Sequence, residues 1–173
     1  MIALRPYDTE LATAMYQAAR ESLETVGPWM PWLHDGYSLE QAFVWAERQQ
    51  RGFEERTEFE FAIIGDDDRF LGGIGLNNID QLNPRANLGY WVRAGEMGKG
   101  VATAATRLLV EWTFANTPLV RIEVVVSIEN KASLRVAEKA GAVREGILRS
   151  RLLLHGRMHD AAMFAFVRPR EDP

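Results

Sequence analysis

The run LGYWVRAGEMGKGVATAATRLLVEW, residues 88–112, followed by RIEVVVSIENKASLRVAEKAGA, residues 121–142, decides how this chain folds. Its hydrophobic pattern reads strand, glycine turn, helix, strand, helix. The turn Gly98-Lys99-Gly100-Val101-Ala102 sits between an apolar strand and an amphipathic helix. Backbone amides at a helix start are a ready seat for a pyrophosphate. The second strand and helix complete a slot for a cofactor.

Working outward, residues 2–5 read as a short strand stopped by Pro6. Asp8 is an N-cap, and Leu11, Ala14, Met15, Ala18 and Ser22 fall on one helical stripe. Ser38-Leu39-Glu40-Gln41 is a capping box opening a second helix, with Leu39, Ala42, Phe43, Ala46 and Phe53 inward. Three strands follow, at 59–64, 70–79 and 86–92, with Gly72, Gly73 and Gly75 thinning the second. After the glycine turn, Val101, Ala104, Ala105, Leu108, Leu109 and Trp112 repeat at helical spacing. Residues 121–127 are apolar enough for a strand covered on both faces. Residues 130–140 form a helix closed by Gly141. A hairpin over 144–155 and 158–168 ends the chain. The order is β-α-α-β-β-β-α-β-α-β-β. It predicts an α+β fold: a mixed, mostly antiparallel sheet with helices on both faces.

The 173 residues suit one domain, 1–173. With no Cys, thiolate catalysis and a disulfide framework are excluded, and a reducing cytoplasm fits. The net charge of −4 makes nucleic acid an unexpected partner. No apolar run approaches the roughly 20 residues of a membrane span. Three histidines without clustered carboxylates offer no metal site.

Two phosphate-binding patterns fail at the glycine turn. A P-loop needs Ser or Thr after the Lys and a Gly six positions before it, where this chain has Gly100 and Arg93. A dinucleotide fingerprint needs Gly or Ala at 103, which is Thr. The plain alternative is a tight turn using glycine for backbone freedom. The stretch Met97 to Ala102 resembles motif A of the GNAT acetyltransferases, (Gln/Arg)-x-x-Gly-x-(Gly/Ala), with Met97 departing from the usual Gln or Arg. Asn130-x-x-Ser133, with Gly141 beyond it, resembles motif B. LGYWV, the PWMPW loop and HGRMHD narrow the resemblance to RimJ/RimL-type N-terminal acetyltransferases. Asn87 and Ala142 depart from that group's usual Glu and Phe.

The resemblance implies acetyl-CoA as co-substrate, with no metal. Met97, Gly98, Lys99, Gly100, Val101 and Ala102 would hold its pyrophosphate, Lys99 adding a point charge. The pantetheine arm would pair with the strand containing Trp91 and Val92, whose amides face the acetyl oxygen. Asn130 would hold the arm, and it is equally an N-cap. Ser133 would donate to the leaving sulfur, in place of the Tyr that many relatives carry where this chain has Ala137. The general base stays open. Glu123 is a candidate, yet Arg121 two positions away on the same face marks a structural pair.

Stripping a proton at pH 7 costs about 1.4 kcal/mol for an α-amine and about 4.6 for a lysine. A site with no committed carboxylate therefore favours a low-pKa amine. The leading expectation is direct acetyl transfer to the N-terminal α-amine of a protein or peptide, of the ribosomal-protein type. A small-amine acetyltransferase and a non-catalytic coenzyme A sensor are the alternatives. Trp29, Trp32, Asn77 and Tyr90 are the acceptor-side candidates; the alternative is packing for Trp29, Trp32 and Tyr90, and a turn for Asn77. Exposed sheet edges and aromatic residues permit a homodimer.

Overall fold

A computed structural model describes residues 1–169. Strand β1 (Ile2–Pro6) leads through a 3-10 turn (Thr9–Leu11) into α1 (Ala12–Glu21). A four-residue helix, α2 (Leu23–Val26), intervenes before α3 (Leu39–Glu54), so there are three helices here where the sequence pattern shows two. The break falls at Ser22, whose buried hydroxyl donates to the Ala18 carbonyl at 2.6 Å and competes with the helix ladder. Then come β2 (Phe59–Gly65), β3 (Phe70–Asp80) and β4 (Arg85–Val92). The remaining elements are α4 (Val101–Asn116), β5 (Arg121–Ser127), α5 (Lys131–Ala140), β6 (Val143–Leu154) and β7 (Arg157–Val167).

Seven strands make one sheet in the order β1-β2-β3-β4-β5-β7-β6. Only the central β4–β5 pair is parallel. That pairing covers Arg85–Asn87 against Arg121–Glu123 and goes no further. The mixed, mostly antiparallel sheet with helices on both faces is the architecture expected from the element order.

One face packs against α4 and α5, through Val101, Ala105, Leu109 and Ala137 over Phe61, Ile74, Leu88 and Ile122. The other carries α1 and α3, through Leu11, Met15, Ala42 and Ala46 over Ala62, Ile64 and Trp91. Four expected inward positions prove otherwise. Ala104 and Leu108 are exposed, and the buried stripe of α4 runs through Thr106 and Thr113 instead. Threonine tolerates that position because its hydroxyl bonds the carbonyl four residues back: Thr106 to Ala102 at 2.8 Å and Thr113 to Leu109 at 2.6 Å. Leu39 and Phe43 are likewise exposed on α3. Strand β5 is buried on one face only, since Arg121, Glu123 and Val125 alternate with the buried Ile122, Val124 and Val126.

Ile122 is fully buried at the root of the parallel pair. Ile122→Val should lower unfolding free energy by about 0.5–1.5 kcal/mol. Urea denaturation with an unchanged slope would measure it.

Candidate active site

Beyond Asn87 and Glu123 the two central strands part. Leu88 to Val92 on β4 and Val124 to Ser127 on β5 have no strand between them, although each keeps its outer neighbour, β3 or β7. A cavity of about 360 Å³ occupies the gap. Both central strands line it, together with the glycine turn, the first turns of α5, and Trp29 and Met30. A sheet opened in this way leaves backbone donors and acceptors facing an extended ligand, the geometry of strand addition.

The glycine turn closes one end. Gly98 and Gly100 have φ of 77° and 82°, the left-handed region that glycine enters without steric cost. A Cβ at either would meet nothing within 4 Å, so these glycines bare the backbone toward open space. Among the described residues, the amides from Gly98 through Thr103 find no protein acceptor; the first helical amide to be satisfied across the turn is Ala104, which bonds the Gly100 carbonyl at 3.0 Å. Consecutive free donors at the start of a 16-residue helix, reinforced by its dipole, make an anion seat. These observations fit the diphosphate of coenzyme A.

Lys99 does not point there. Its ammonium bonds the Glu96 carboxylate at 3.1 Å, and Arg69 holds the other Glu96 oxygen at 3.0 Å. The sequence hides this clamp, because Arg69 comes from the β2–β3 turn. Met97 lines the cavity half-exposed beside the seat.

Helix α5 approaches from the other side. Asn130 caps it by accepting from the Ser133 amide at 3.1 Å. Asn130→Ala should cost about 1 kcal/mol of stability and loosen Ser133, visible as a lower melting temperature with a several-fold fall in turnover. The Ser133 hydroxyl lies 2.6 Å from the Tyr90 hydroxyl. Both line the cavity. Burial pushes the Tyr90 phenol up to about 12, against an opposing pull from the Ser133 hydrogen bond. It therefore stays protonated at ordinary pH, with the Ser133 carbonyl at 3.3 Å and the Ser133 hydroxyl at 2.6 Å as its two acceptors; when it donates to the hydroxyl, the serine hydrogen is free for the cavity. In the sequence alone, Tyr90 beside Trp91 reads as packing. The usable signal is strand alternation, which puts Tyr90 on the Leu88 face toward α4 and α5.

Other candidates separate. Trp91 and Val92 line the gap, as do Val101 and Ala102. Trp29 lines the cavity, and the His155 ring bonds the Gly27 carbonyl at 2.8 Å, pinning that loop to the β6–β7 hairpin. Trp32 sits behind it, its ring 5.7 Å from Trp91 and 5.3 Å from Tyr37. Asn77 is outside the cavity lining; it accepts from the Asn87 side chain at 3.0 Å. Glu123 is also outside, held by Arg121 at 2.7 Å with Arg85 at 3.7 Å. Two guanidiniums occupy that carboxylate, so the pairing with Arg121 is structural. Glu96 is the one carboxylate among the lining residues, and two cations occupy it. No cluster of metal-ligating side chains exists among the described residues. No helix among them is long and apolar enough to cross a membrane.

Comparison with known proteins agrees with this geometry. The family model described as "Acetyltransferase (GNAT) domain" matches residues 2–143. Probable N-acetyltransferase YjcK of Bacillus subtilis is 34% identical over 140 residues, 80% of this chain and 77% of its own length. YdaF of the same organism is 34% identical over 102 residues, 59% of this chain, and the match spans only 56% of YdaF. The ribosomal-protein-serine acetyltransferase of Escherichia coli is 26% identical over 141 residues, 78% of each chain. Among solved structures, RimL, a ribosomal L7/L12 alpha-N-protein acetyltransferase in complex with coenzyme A, superposes with a TM-score of 0.90. It covers 96% of this chain and 94% of its own at 20% identity, a likeness of fold.

Proposed function

The chain belongs to the GNAT acetyltransferase family, whose acyl donor is acetyl-CoA, and from that premise we propose that it acetylates the N-terminal α-amine of a protein or peptide. The observation that carries the reading is the conjunction of the open β4 edge with the free amides of Gly98 to Thr103. Together they fit the extended arm and the diphosphate of one ligand.

In this reading the thioester carbonyl lies against the free edge of β4 near Trp91 and Val92, where a backbone amide polarises it. The amine attacks directly. As the carbon–sulfur bond breaks, the Ser133 hydroxyl donates to the departing sulfur and Tyr90 keeps that hydrogen directed outward. Tyr90 acts through Ser133 and is a positioning residue.

The absence of a free carboxylate among the cavity-lining residues supports an α-amine over a lysine. An α-amine titrates near 7.7–8.0 and a lysine near 10.4. The Trp29 loop, anchored through His155, forms a rigid wall for the acceptor. The related ribosomal-protein-serine acetyltransferase points the same way.

The test is incubation of native lysate with the protein and isotopically labelled acetyl-CoA, followed by mass spectrometry of intact proteins and metabolites. Labelled acetyl at protein N-termini is the expected result. Label found only on small amines overturns the choice of acceptor.

A further inference from the structure

A second polar site lies on the α1–α3 face of the sheet, outside the cavity lining. Glu60 on β2 is paired in register with Gly75 on β3, which is paired with Gly89 on β4. The Glu60 carboxylate lies over Gly75: a Cβ there would fall 2.0 Å from its Oε2. At Gly89, a Cβ would meet nothing within 4 Å, and Gly89 lines the cavity. A lane without side chains thus runs along one sheet row from Glu60 to the parted strands. Its length from the carboxylate to Gly89 is about one strand spacing, roughly 4.8 Å.

The neighbouring row is also bare. A Cβ on Gly73 would sit 2.8 Å from both the Tyr7 hydroxyl and the Trp91 ring nitrogen. The Tyr7 and Tyr37 hydroxyls are buried with no hydrogen-bond partner among the described residues. Tyr7 is 2% exposed and Tyr37 7%. Orphaned buried hydroxyls are rare and costly, and they call for a missing partner. Aromatic rings surround them, with Tyr7 packed on Trp45 at 4.6 Å and Phe70 on Trp91 at 5.7 Å.

We propose that this well, with Glu60 at its floor, is the seat of the acceptor's ammonium group, and that Glu60 takes its proton. The proposal deepens the α-amine reading above and rests on it. An ammonium has three N–H donors and no acceptor. A carboxylate and two phenolic oxygens are acceptors that suit it, and the rings offer cation–π faces.

The groups facing Glu60 explain its suitability as a base. Burial, and after it the Glu58 carboxylate, raise Glu60 to about 8, while a hydrogen bond from Asn77 works in the opposite direction. Glu58 is itself paired with Arg48 of α3 at 2.7 Å. Tyr7 is held well above its ordinary value by burial first, then by Glu60 and Tyr37, so it remains a neutral neighbour. A proton acceptor near 8 matches an α-amine at 7.7–8.0 and not a lysine at 10.4.

The step balances. The ammonium gives one proton to Glu60, which releases it to solvent. The freed lone pair forms the carbon–nitrogen bond as the carbon–sulfur bond breaks. The second proton lost by nitrogen replaces the one that sulfur gains from Ser133. Amide, thiol and one proton are the products.

Glu60→Gln keeps the shape and the Asn77 contact, and two measurements test the role. In the first, n-butylamine is added to the protein saturated with coenzyme A. The melting temperature should rise in the wild type and not in Glu60→Gln; an equal rise, or none in either, overturns the seat. In the second, acetyl transfer to an alanine-led peptide is followed against pH. The wild-type kcat/KM should climb to a limb near pH 8, and Glu60→Gln should lie about 100-fold lower without the Glu60 limb, with acetyl-CoA affinity unchanged. Identical profiles overturn the base. Transfer that is indifferent to Glu60→Gln removes the seat and spares the proposed function. Amine binding without any transfer by the wild type does the reverse.

Discussion

Gly100→Glu is expected to weaken coenzyme A binding by 100-fold or more while the protein stays folded. Two effects on the fold oppose each other. Gly100 has φ of 82°, and a side-chain residue in the left-handed region costs about 1–2 kcal/mol. The new carboxylate sits at the positive end of a helix, which returns about 0.3–1 kcal/mol. No protein atom lies within 4 Å of the added Cβ, so there is no packing clash. The binding effect has no such offset, because the carboxylate occupies the anion seat and can satisfy the very amides that the diphosphate needs. Gly100→Ala separates the contributions: it carries the backbone strain without the charge and should bind far better than the Glu variant. Calorimetry with coenzyme A, beside thermal denaturation of each variant, gives both numbers. Undiminished binding by Gly100→Glu would contradict the cradle.

Ser133→Ala is expected to lower kcat by about 100-fold or more, the usual worth of a positioned proton donor. Acetyl-CoA affinity should change little, since the Asn130 cap bonds the Ser133 main chain, not its hydroxyl. Tyr90→Phe should cost less, about 10-fold, because Ser133 survives and loses only its orientation. The double variant should be no worse than Ser133→Ala alone, as residues acting as one unit are not additive. Since Tyr90 titrates only near 12, the wild type should show no loss of kcat from this phenol up to about pH 10. Equal effects of the two single variants, adding fully in the double, would mean that the hydroxyls act separately.

The frame of the fold and one half of the candidate site are legible in the sequence. Periodicity and turn residues are local, and they located the seven strands, the left-handed Gly98 and Gly100, and the Asn130 cap. What escaped depends on contacts distant along the chain. Tyr90 and Ser133 are 43 residues apart and meet only because β4 and β5 diverge. Lys99 reads as a phosphate ligand until Arg69 and Glu96 are seen around it. Glu60 is silent in the sequence, because its meaning lies in a register that sets it opposite Gly75 and, one strand further, Gly89. Gly72, Gly73 and Gly75 were legible as a thinned strand, yet which side chain fills the bared space is a matter of pairing. The α4 stripe was misplaced by its threonines, whose hydroxyls are satisfied within the helix and so can be buried.

Backbone amide NMR is the most direct test of the cradle. Spectra of nitrogen-15-labelled protein would be compared on adding coenzyme A and on adding pantetheine, which lacks the diphosphate. Coenzyme A should move the Gly98 to Thr103 amide protons strongly downfield, with pantetheine leaving them in place. Amide resonances from Gly98 to Thr103 that respond alike to both ligands, or to neither, would contradict it.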